Sequence, residues 1–181
     1  MPRLFIAIEV ADEVKAAVAG LPLDLPGGRR VPKDQLHLTL AFLGEQEEAL
    51  IDRLKEELAQ VREETFPLRF SGIGAFPRGS RPRVLWARIE PELRLDRLQR
   101  RVREAVLRCH VDLENRPFTP HVTLARIRQH HENSTAGRRN DPLLLSLPVL
   151  TVREFVLFQS RLTTNGAIHT VLARFPLRIA P

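Results

Sequence analysis

The 181-residue chain combines 43% hydrophobic with 28% charged residues, which suits a folded domain of ordinary size rather than a membrane protein. No apolar run reaches the roughly eighteen residues that a membrane-spanning helix needs, and the first residues enter a strand pattern without a leader-like segment. The single cysteine, Cys109, excludes a disulfide framework, so we expect a cytoplasmic protein. The net charge is +6, and nearly all of the positive charge is carried by arginine, which favours an anionic partner without identifying it.

The first half of the chain alternates between strand-like and helix-like segments. Strands are indicated by short apolar runs, helices by apolar residues every three or four positions, and loops by proline and glycine. The predicted elements are a strand at Leu4–Glu9, a helix at Glu13–Ala19, a loop at Leu21–Pro32, a strand at Leu36–Leu43, a helix at Glu45–Glu64 and a strand at Leu68–Phe76.

The second half repeats the order of strand, helix and strand. Strands that follow one another without helical crossovers favour an antiparallel arrangement. We therefore expect a single α+β domain over residues 1–181, built as two pseudo-symmetric lobes of mainly antiparallel sheet with outer helices and a cleft between the lobes. The predicted elements are a strand at Val84–Ile89, a helix at Leu93–Cys109, a strand at His121–Ile127, a polar loop at Gln129–Pro142, and strands at Thr151–Phe158 and Ile168–Phe175.

The same His-x-Thr-Leu pattern occurs once in each half, in the segments LHLTL and PHVTL. Because side chains alternate across a strand, His37 and Thr39 share one face, and His121 and Thr123 share one face of theirs. The apolar residues between them anchor each strand in the core. An approximate two-fold axis relating the halves would bring the two polar pairs together across a cleft.

Two facing histidines provide a general base and a general acid, since imidazole gives and takes a proton near neutral pH. Threonine hydroxyls and an arginine can hold the free oxygens of a phosphate and offset its charge. Arg126 is the best arginine candidate. Strict alternation would turn Arg126 away from His121, so a strand end or a bulge near Ala125 is required.

A zinc site is the main chemical alternative for paired histidines. Zinc sites gather His, Cys or carboxylate ligands, whereas the partner of each motif histidine here is a threonine and no acidic residue recurs beside both. We therefore expect no metal and no cofactor. Trp86 and most of the nine phenylalanines are expected in the core, whereas Phe42, Phe118 and His169 lie near the motif strands or a late strand and are candidate contacts to a ligand.

The two motifs and their surroundings resemble a known family. RLFIAI at the start, LHLTLAFLG in the first half, RPFTPHVTLAR in the second and VREFVLFQSRL near the end are similar to the two-histidine phosphoesterases, and within them to the RNA 2′,3′-cyclic phosphodiesterases, also called 2′-5′ RNA ligases. The resemblance implies a bilobal α+β fold and metal-free hydrolysis of 2′,3′-cyclic phosphate ends of RNA to 2′-phosphomonoesters. It also implies reverse 2′-5′ ligation in some members.

The resemblance assigns a role to each motif residue. His37 is the proton donor to the departing 3′-oxygen, and His121 is the proton acceptor that activates water. Where relatives often have a tyrosine in the last strand, this chain has His169 and contains no tyrosine. The phosphate is expected to be held by Thr39, Thr123 and Arg126.

Two alternatives remain open at this point. The chain could act on a small cyclic phosphate, such as ADP-ribose 1″,2″-cyclic phosphate or a cyclic nucleotide, or it could be a non-catalytic RNA-binding module. The duplicated His and Thr disfavour the module, because binding alone does not require both histidines. The expected partner is RNA with a 2′,3′-cyclic phosphate or 2′-phosphate end, bound by a monomer.

Overall fold

The computed structural model describes residues 1–21, 23, 28–78, 81–127, 147–164 and 166–179, and within these the chain forms ten strands and three α-helices. No helix in this described part is long and apolar enough to cross a membrane. The elements are β1 (Arg3–Glu9), α1 (Asp12–Ala19), β2 (Gly28–Arg30), β3 (His37–Glu45), α2 (Leu50–Leu58), β4 (Phe66–Leu68), β5 (Phe70–Arg78), β6 (Arg81–Ile89), α3 (Leu93–Arg108), β7 (His121–Ile127), β8 (Leu150–Val152), β9 (Glu154–Thr163) and β10 (Gly166–Pro176).

Eight of these strands form one antiparallel sheet in the order β10-β9-β1-β3-β7-β6-β5, with β2 also paired to β7. One half-sheet comes from β10, β9, β1 and β3, and the other from β7, β6 and β5. A single cross-strand pair, Leu38 with Val122, joins the two halves. Strands β4 and β8 form a separate two-stranded sheet. The predicted antiparallel α+β fold is confirmed.

The two half-sheets share a bulge at the same place. Strand β1 borders β3 as β6 borders β7, and both ladders shift register by one residue just after the motif threonine. The extra residue there is Leu40 in the first ladder and Leu124 in the second, and the first ladder shifts once more at Leu43. A bulge of this kind changes which side chains face each side of the sheet beyond it.

The main core lies on the side of the sheet that is covered by the helices. It includes Leu38 and Val122 together with the apolar faces of α1, α2 and α3. Burial of this continuous apolar surface supplies the main driving force for folding. The opposite side, which we call the cleft face, carries a small separate cluster formed by Phe5, Ala7, Val156 and Phe158.

The second predicted helix is wrong in length, since Glu45–Glu64 was expected and α2 spans only Leu50–Leu58. At its start, Glu45 still belongs to β3, where it pairs with Arg3. After α2, the backbone instead pairs with the C-terminal segment: the Arg178 N–H donates to the Glu63 carbonyl. These distant backbone contacts outweigh the helical spacing of the local sequence.

Three further differences concern strands and loops. The predicted strands at Leu68–Phe76 and Thr151–Phe158 are each divided, because β4 and β8 pair with each other in the small sheet before the chain enters the large one. The predicted loop at Leu21–Pro32 contains β2, whose three residues lack an apolar pattern. The predicted loop at Gln129–Pro142 lies outside the described residues.

Glu63 is the one charged residue that is buried in the described part of the chain, with 4% of its side chain exposed. Arg97 donates to both of its carboxylate oxygens at 3.1 Å, and Arg101 lies 3.4 Å away. Burial raises the pKa of Glu63, but the Arg97 hydrogen bonds, the Glu64 N–H and the arginine charges outweigh this and hold it below its ordinary value.

We expect Glu63→Gln to lower the free energy of unfolding at neutral pH by about 1–3 kcal/mol, the range for a lost charged hydrogen-bond partner, since the arginines left behind are half exposed. Because the folded pKa is depressed, the ionised carboxylate stabilises above the unfolded pKa of 4.5 and this stabilisation is lost as the pH falls. Urea unfolding at several pH values measures this loss of stability, with Glu64→Gln, at an exposed position, as the control. Equal stability of both variants at neutral pH would contradict the assignment.

Candidate active site

The two motif strands meet at the pair that joins the half-sheets. Leu38 of β3 lies directly opposite Val122 of β7, and both side chains point into the main core, at 0% and 1% exposure. Because neighbours in a strand point to opposite faces, the residues on either side of this pair lie on the cleft face. These four partly exposed residues are His37, Thr39, His121 and Thr123.

The antiparallel pairing fixes how the two histidines relate. Each precedes its member of the joining pair by one residue, so the local two-fold of the ladder places His37 and His121 diagonally across the two strands. Diagonal neighbours of this kind have Cα atoms about 7–8 Å apart, within reach of long and aromatic side chains. The charges of Arg126 and His121 both lower the pKa of His37, which agrees with the three side chains facing one cleft.

The Nδ1 atom of each imidazole forms a hydrogen bond with a backbone carbonyl oxygen. His37 Nδ1 lies 2.7 Å from the Gln35 carbonyl oxygen, and His121 Nδ1 lies 2.7 Å from the Thr119 carbonyl oxygen. A carbonyl only accepts, so Nδ1 carries the proton in both rings and Nε2 is the nitrogen available for proton transfer. Both carbonyls come from the residue two positions earlier, which the sequence motif did not reveal.

His37 lies in an aromatic corner of the cleft face. Its ring centroid is 5.0 Å from that of Phe5 and 5.5 Å from that of His169, which it meets edge-on at 90°. Burial lowers the pKa of His37 to about 4, opposed by the bond to the Gln35 carbonyl and helped by the charges of His169, Arg126 and His121. Near neutral pH the free protein therefore holds His37 uncharged.

His121 packs against the only tryptophan of the chain. The ring centroids of Trp86 and His121 lie 5.7 Å apart, and the Arg88 guanidinium lies 5.7 Å from the Trp86 ring. Trp86 is 9% exposed, so the expectation of burial is confirmed, but it lies on the cleft face. Gly74 makes the room, since a Cβ there would lie 2.4 Å from the indole. Trp86 pairs with the motif threonine Thr123 as Ala7 pairs with Thr39, so the two residues hold equivalent positions in the two half-sheets.

Arg126 is turned to the cleft face by the bulge expected near Ala125. The extra residue, Leu124, restores Arg126 to the side of His121 although it follows His121 by an odd number of positions, five. Arg126 is exposed, and its charge lowers the pKa of His37. The equivalent residue after the Leu40 bulge of the first half is Phe42, which is 68% exposed and lies 6.2 Å from Phe5 between ring centroids.

The other two candidate contacts have different surroundings. His169 lies against His37, Phe5 and Phe158, with centroids 4.9 Å and 6.4 Å from the two phenyl rings. Burial lowers its pKa, opposed by the charge of Asp34. Phe118 is half-buried and packs against the main core instead of joining this ring cluster.

Comparison with known proteins places these residues in a family. A model of the 2′-5′ RNA ligase superfamily matches residues 8–157 of the chain. The chain belongs to the 2′-5′ RNA ligase superfamily. The RNA 2′,3′-cyclic phosphodiesterase of Archaeoglobus fulgidus is 34% identical, covering 96% of this chain and 99% of that protein. The enzyme of the same name from Thermus thermophilus is 38% identical, covering 97% and 90%.

Solved structures of the superfamily share the whole architecture. Escherichia coli LigT complexed with 3′-AMP has a TM-score of 0.83 and 31% identity, over 98% of this chain and 99% of that one. The Thermus thermophilus protein TT0787 has a TM-score of 0.82 and 33% identity, over 99% and 100%. The similarity therefore covers both half-sheets and the joining pair between them.

Two features describe the site of this superfamily member further. Within the described residues, no three His, Cys, Asp or Glu side chains converge as metal ligands would. That the reaction needs no metal is still a prediction, which a chelator can test.

His169 Nδ1 is buried without a hydrogen-bond partner in that same part of the chain. A ligand that fills the corner beside His37 can supply that partner.

Proposed function

We propose that this chain hydrolyses 2′,3′-cyclic phosphate ends of RNA to 2′-phosphomonoesters, with His37 and His121 as the catalytic acid and base. The observation that carries the proposal is the arrangement of the two imidazoles: they lie diagonally about one cross-strand pair, and both have Nδ1 bound to a carbonyl. The matching relatives named RNA 2′,3′-cyclic phosphodiesterase support it over nearly the full chain.

The reaction needs one proton taken and one given. Nε2 of His121 accepts a proton from water as the water oxygen attacks phosphorus. The bond from phosphorus to the 3′-oxygen breaks, and that oxygen receives the proton from Nε2 of His37, so the phosphate stays on the 2′-oxygen. This division of roles follows the family resemblance. The free phosphate oxygens are held by Thr39, Thr123 and Arg126.

The protonation state of His37 links substrate binding to proton uptake. In the free protein the pKa of His37 is lowered to about 4, so near neutral pH its Nε2 lacks the proton that a general acid must give. A cyclic phosphate carries a negative charge into the site, which favours the protonated imidazole and offsets the neighbouring positive charges. We therefore infer that His37 takes up its proton when the substrate binds.

Phe42 and His169 provide the surroundings of the nucleotide. An exposed phenyl ring on an open sheet is a stacking surface for a base, and Phe42 is 68% exposed at the edge of the Phe5 cluster. His169 offers its unpartnered Nδ1 in the corner beside His37. Both motif histidines come from one chain, so we propose a monomer, which acts on RNA in the cytoplasm. In 2′-5′ ligation the 5′-hydroxyl of a second RNA would take the place of the attacking water.

Incubation with a short RNA that ends in a 2′,3′-cyclic phosphate tests the proposal. We expect a product that keeps its phosphate on the 2′-oxygen, formed at an unchanged rate in excess EDTA. A 3′-phosphate product would contradict the assignment of the departing oxygen. Activity that EDTA removes and zinc restores would contradict catalysis without a metal.

The same assay separates the other predicted functions. Faster opening of ADP-ribose 1″,2″-cyclic phosphate or of a cyclic mononucleotide than of the RNA would favour an enzyme for small cyclic phosphates. Binding of the RNA without any turnover would favour a non-catalytic module. The RNA enzyme requires turnover of the oligonucleotide itself.

A further inference from the structure

Strand β2 places a second arginine beside Arg126. Its three residues pair with β7 where β3 no longer does, and in this ladder Arg29 lies directly opposite Arg126. Directly opposed residues of an antiparallel pair point to the same face, with Cα atoms about 4.5–5.5 Å apart. Arg29 therefore lies on the same side of the sheet as Arg126.

The neighbouring arginine confirms which way Arg29 points. Arg30 lies opposite Ala125, and its guanidinium donates to the carbonyl oxygens of Val18 and Leu21 at 3.3 Å and 2.6 Å, at the end of α1. Since α1 covers the main core, Arg30 points to the helix side, and Arg29 points to the cleft face. Arg29 and Arg126 thus form a pair of exposed, adjacent positive charges next to the catalytic histidines.

The described part of the chain supplies no carboxylate to this pair of arginines. Like charges directly opposite one another destabilise a sheet, and the ion pairs among the described residues leave both Arg29 and Arg126 without a carboxylate. Arg126 suffices for the single negative charge of a cyclic phosphate. The second guanidinium therefore matches a second phosphate on the same ligand.

We propose that Arg29 binds the phosphate on the 5′-oxygen of the terminal nucleoside, which is the first internucleotide phosphate of an RNA strand. The cyclic phosphate and the phosphate on the 5′-oxygen are attached to the same nucleoside, so a strand whose end lies between the histidines brings its next phosphate close to the neighbouring strand edge. This inference rests on the proposed function and refines it, because Arg29 makes the site selective for a chain end over a free cyclic mononucleotide.

Three substrates isolate the contact: adenosine 2′,3′-cyclic phosphate, the same nucleotide with a 5′-phosphate, and the dinucleotide ApA ending in a 2′,3′-cyclic phosphate. We expect the wild-type protein to prefer both substrates that carry the 5′-linked phosphate. Arg29→Ala should lower this preference in kcat/KM by about tenfold, the value of one charge-assisted hydrogen bond. It should also reduce the slope of log kcat/KM for the dinucleotide against log salt by about 0.7.

Arg100→Ala is the matched control, since it removes an exposed arginine from α3, on the helix side of the sheet. We expect it to leave the preference and the salt slope unchanged. A preference for the dinucleotide but not for the 5′-phosphorylated nucleotide would overturn the inference, because the contact would then be to the second nucleoside. An equal loss on all three substrates in Arg29→Ala would also overturn it. Failure of the wild-type protein to open any of them would instead contradict the proposed function.

Discussion

Replacing either motif histidine should lower the rate of cyclic-phosphate opening by about 10²–10⁴-fold, the usual contribution of one general acid or base. His37→Asn and His121→Asn are the preferred variants because an asparagine amide can still donate to the carbonyl that Nδ1 now binds. The loss should appear in kcat, since the proton transfers occur in the transition state. Near-normal rates in either variant would contradict the assignment.

The control for this prediction is His110→Asn. His110 is exposed and has a φ of 61°, a conformation that asparagine tolerates well, so the substitution removes an imidazole without backbone strain. Urea unfolding of all three variants separates lost chemistry from lost folding. We expect His110→Asn to retain full activity.

A sulfur-substituted substrate identifies which histidine is the acid. Thiols have a pKa of about 8.5, so a departing 3′-sulfur needs far less protonation than a departing 3′-oxygen. On a cyclic phosphate with sulfur in place of the 3′-oxygen, His37→Asn should recover most of its lost activity, whereas His121→Asn should remain slow. Recovery by the His121 variant alone would exchange the two roles.

The second large effect is expected at Arg126, where alanine should reduce kcat/KM by about 10²–10³-fold, as the loss of one group that stabilises transition-state charge does elsewhere. Arg126→Lys should recover only part of this, because an ammonium keeps the charge but not the planar pair of donors. Steady-state kinetics on the RNA substrate measure it, with Arg100→Ala as the charge-matched control. A change in KM alone would show that Arg126 holds the ground state and not the transition state.

The sequence predicted the positions of the motif side chains better than it predicted the bounds of the elements around them. Alternation placed each motif histidine opposite the buried residues of its own strand, and the repeat of the motif in both halves indicated that His37 and His121 meet on one face. The place of Arg126 required a bulge, and the repeated Leu-Ala after each threonine was its only local trace.

The failures have a common cause in long-range pairing. The strand that carries Arg29 was predicted as loop, since its three polar residues are ordered by pairing with β7 and not by their own pattern. The second helix was overextended because backbone bonds from the C-terminal segment hold the residues around Glu63. Contacts of this kind join residues far apart in the chain, and local periodicity carries no trace of them.

The matching carbonyl anchors on the two imidazoles have a consequence for the cycle as a whole. Each hydrolysis moves one proton across the molecule, leaving His121 charged and His37 neutral, the mirror image of the state that began the reaction. With both Nδ1 protons fixed, this inverted form is set for the reverse of hydrolysis, in which the 3′-oxygen closes the ring again and water departs, since the charged imidazole can give and the neutral one can take. Solvent must return the proton before the next hydrolysis, so a turnover rate that rises with buffer concentration would show that this return limits the cycle.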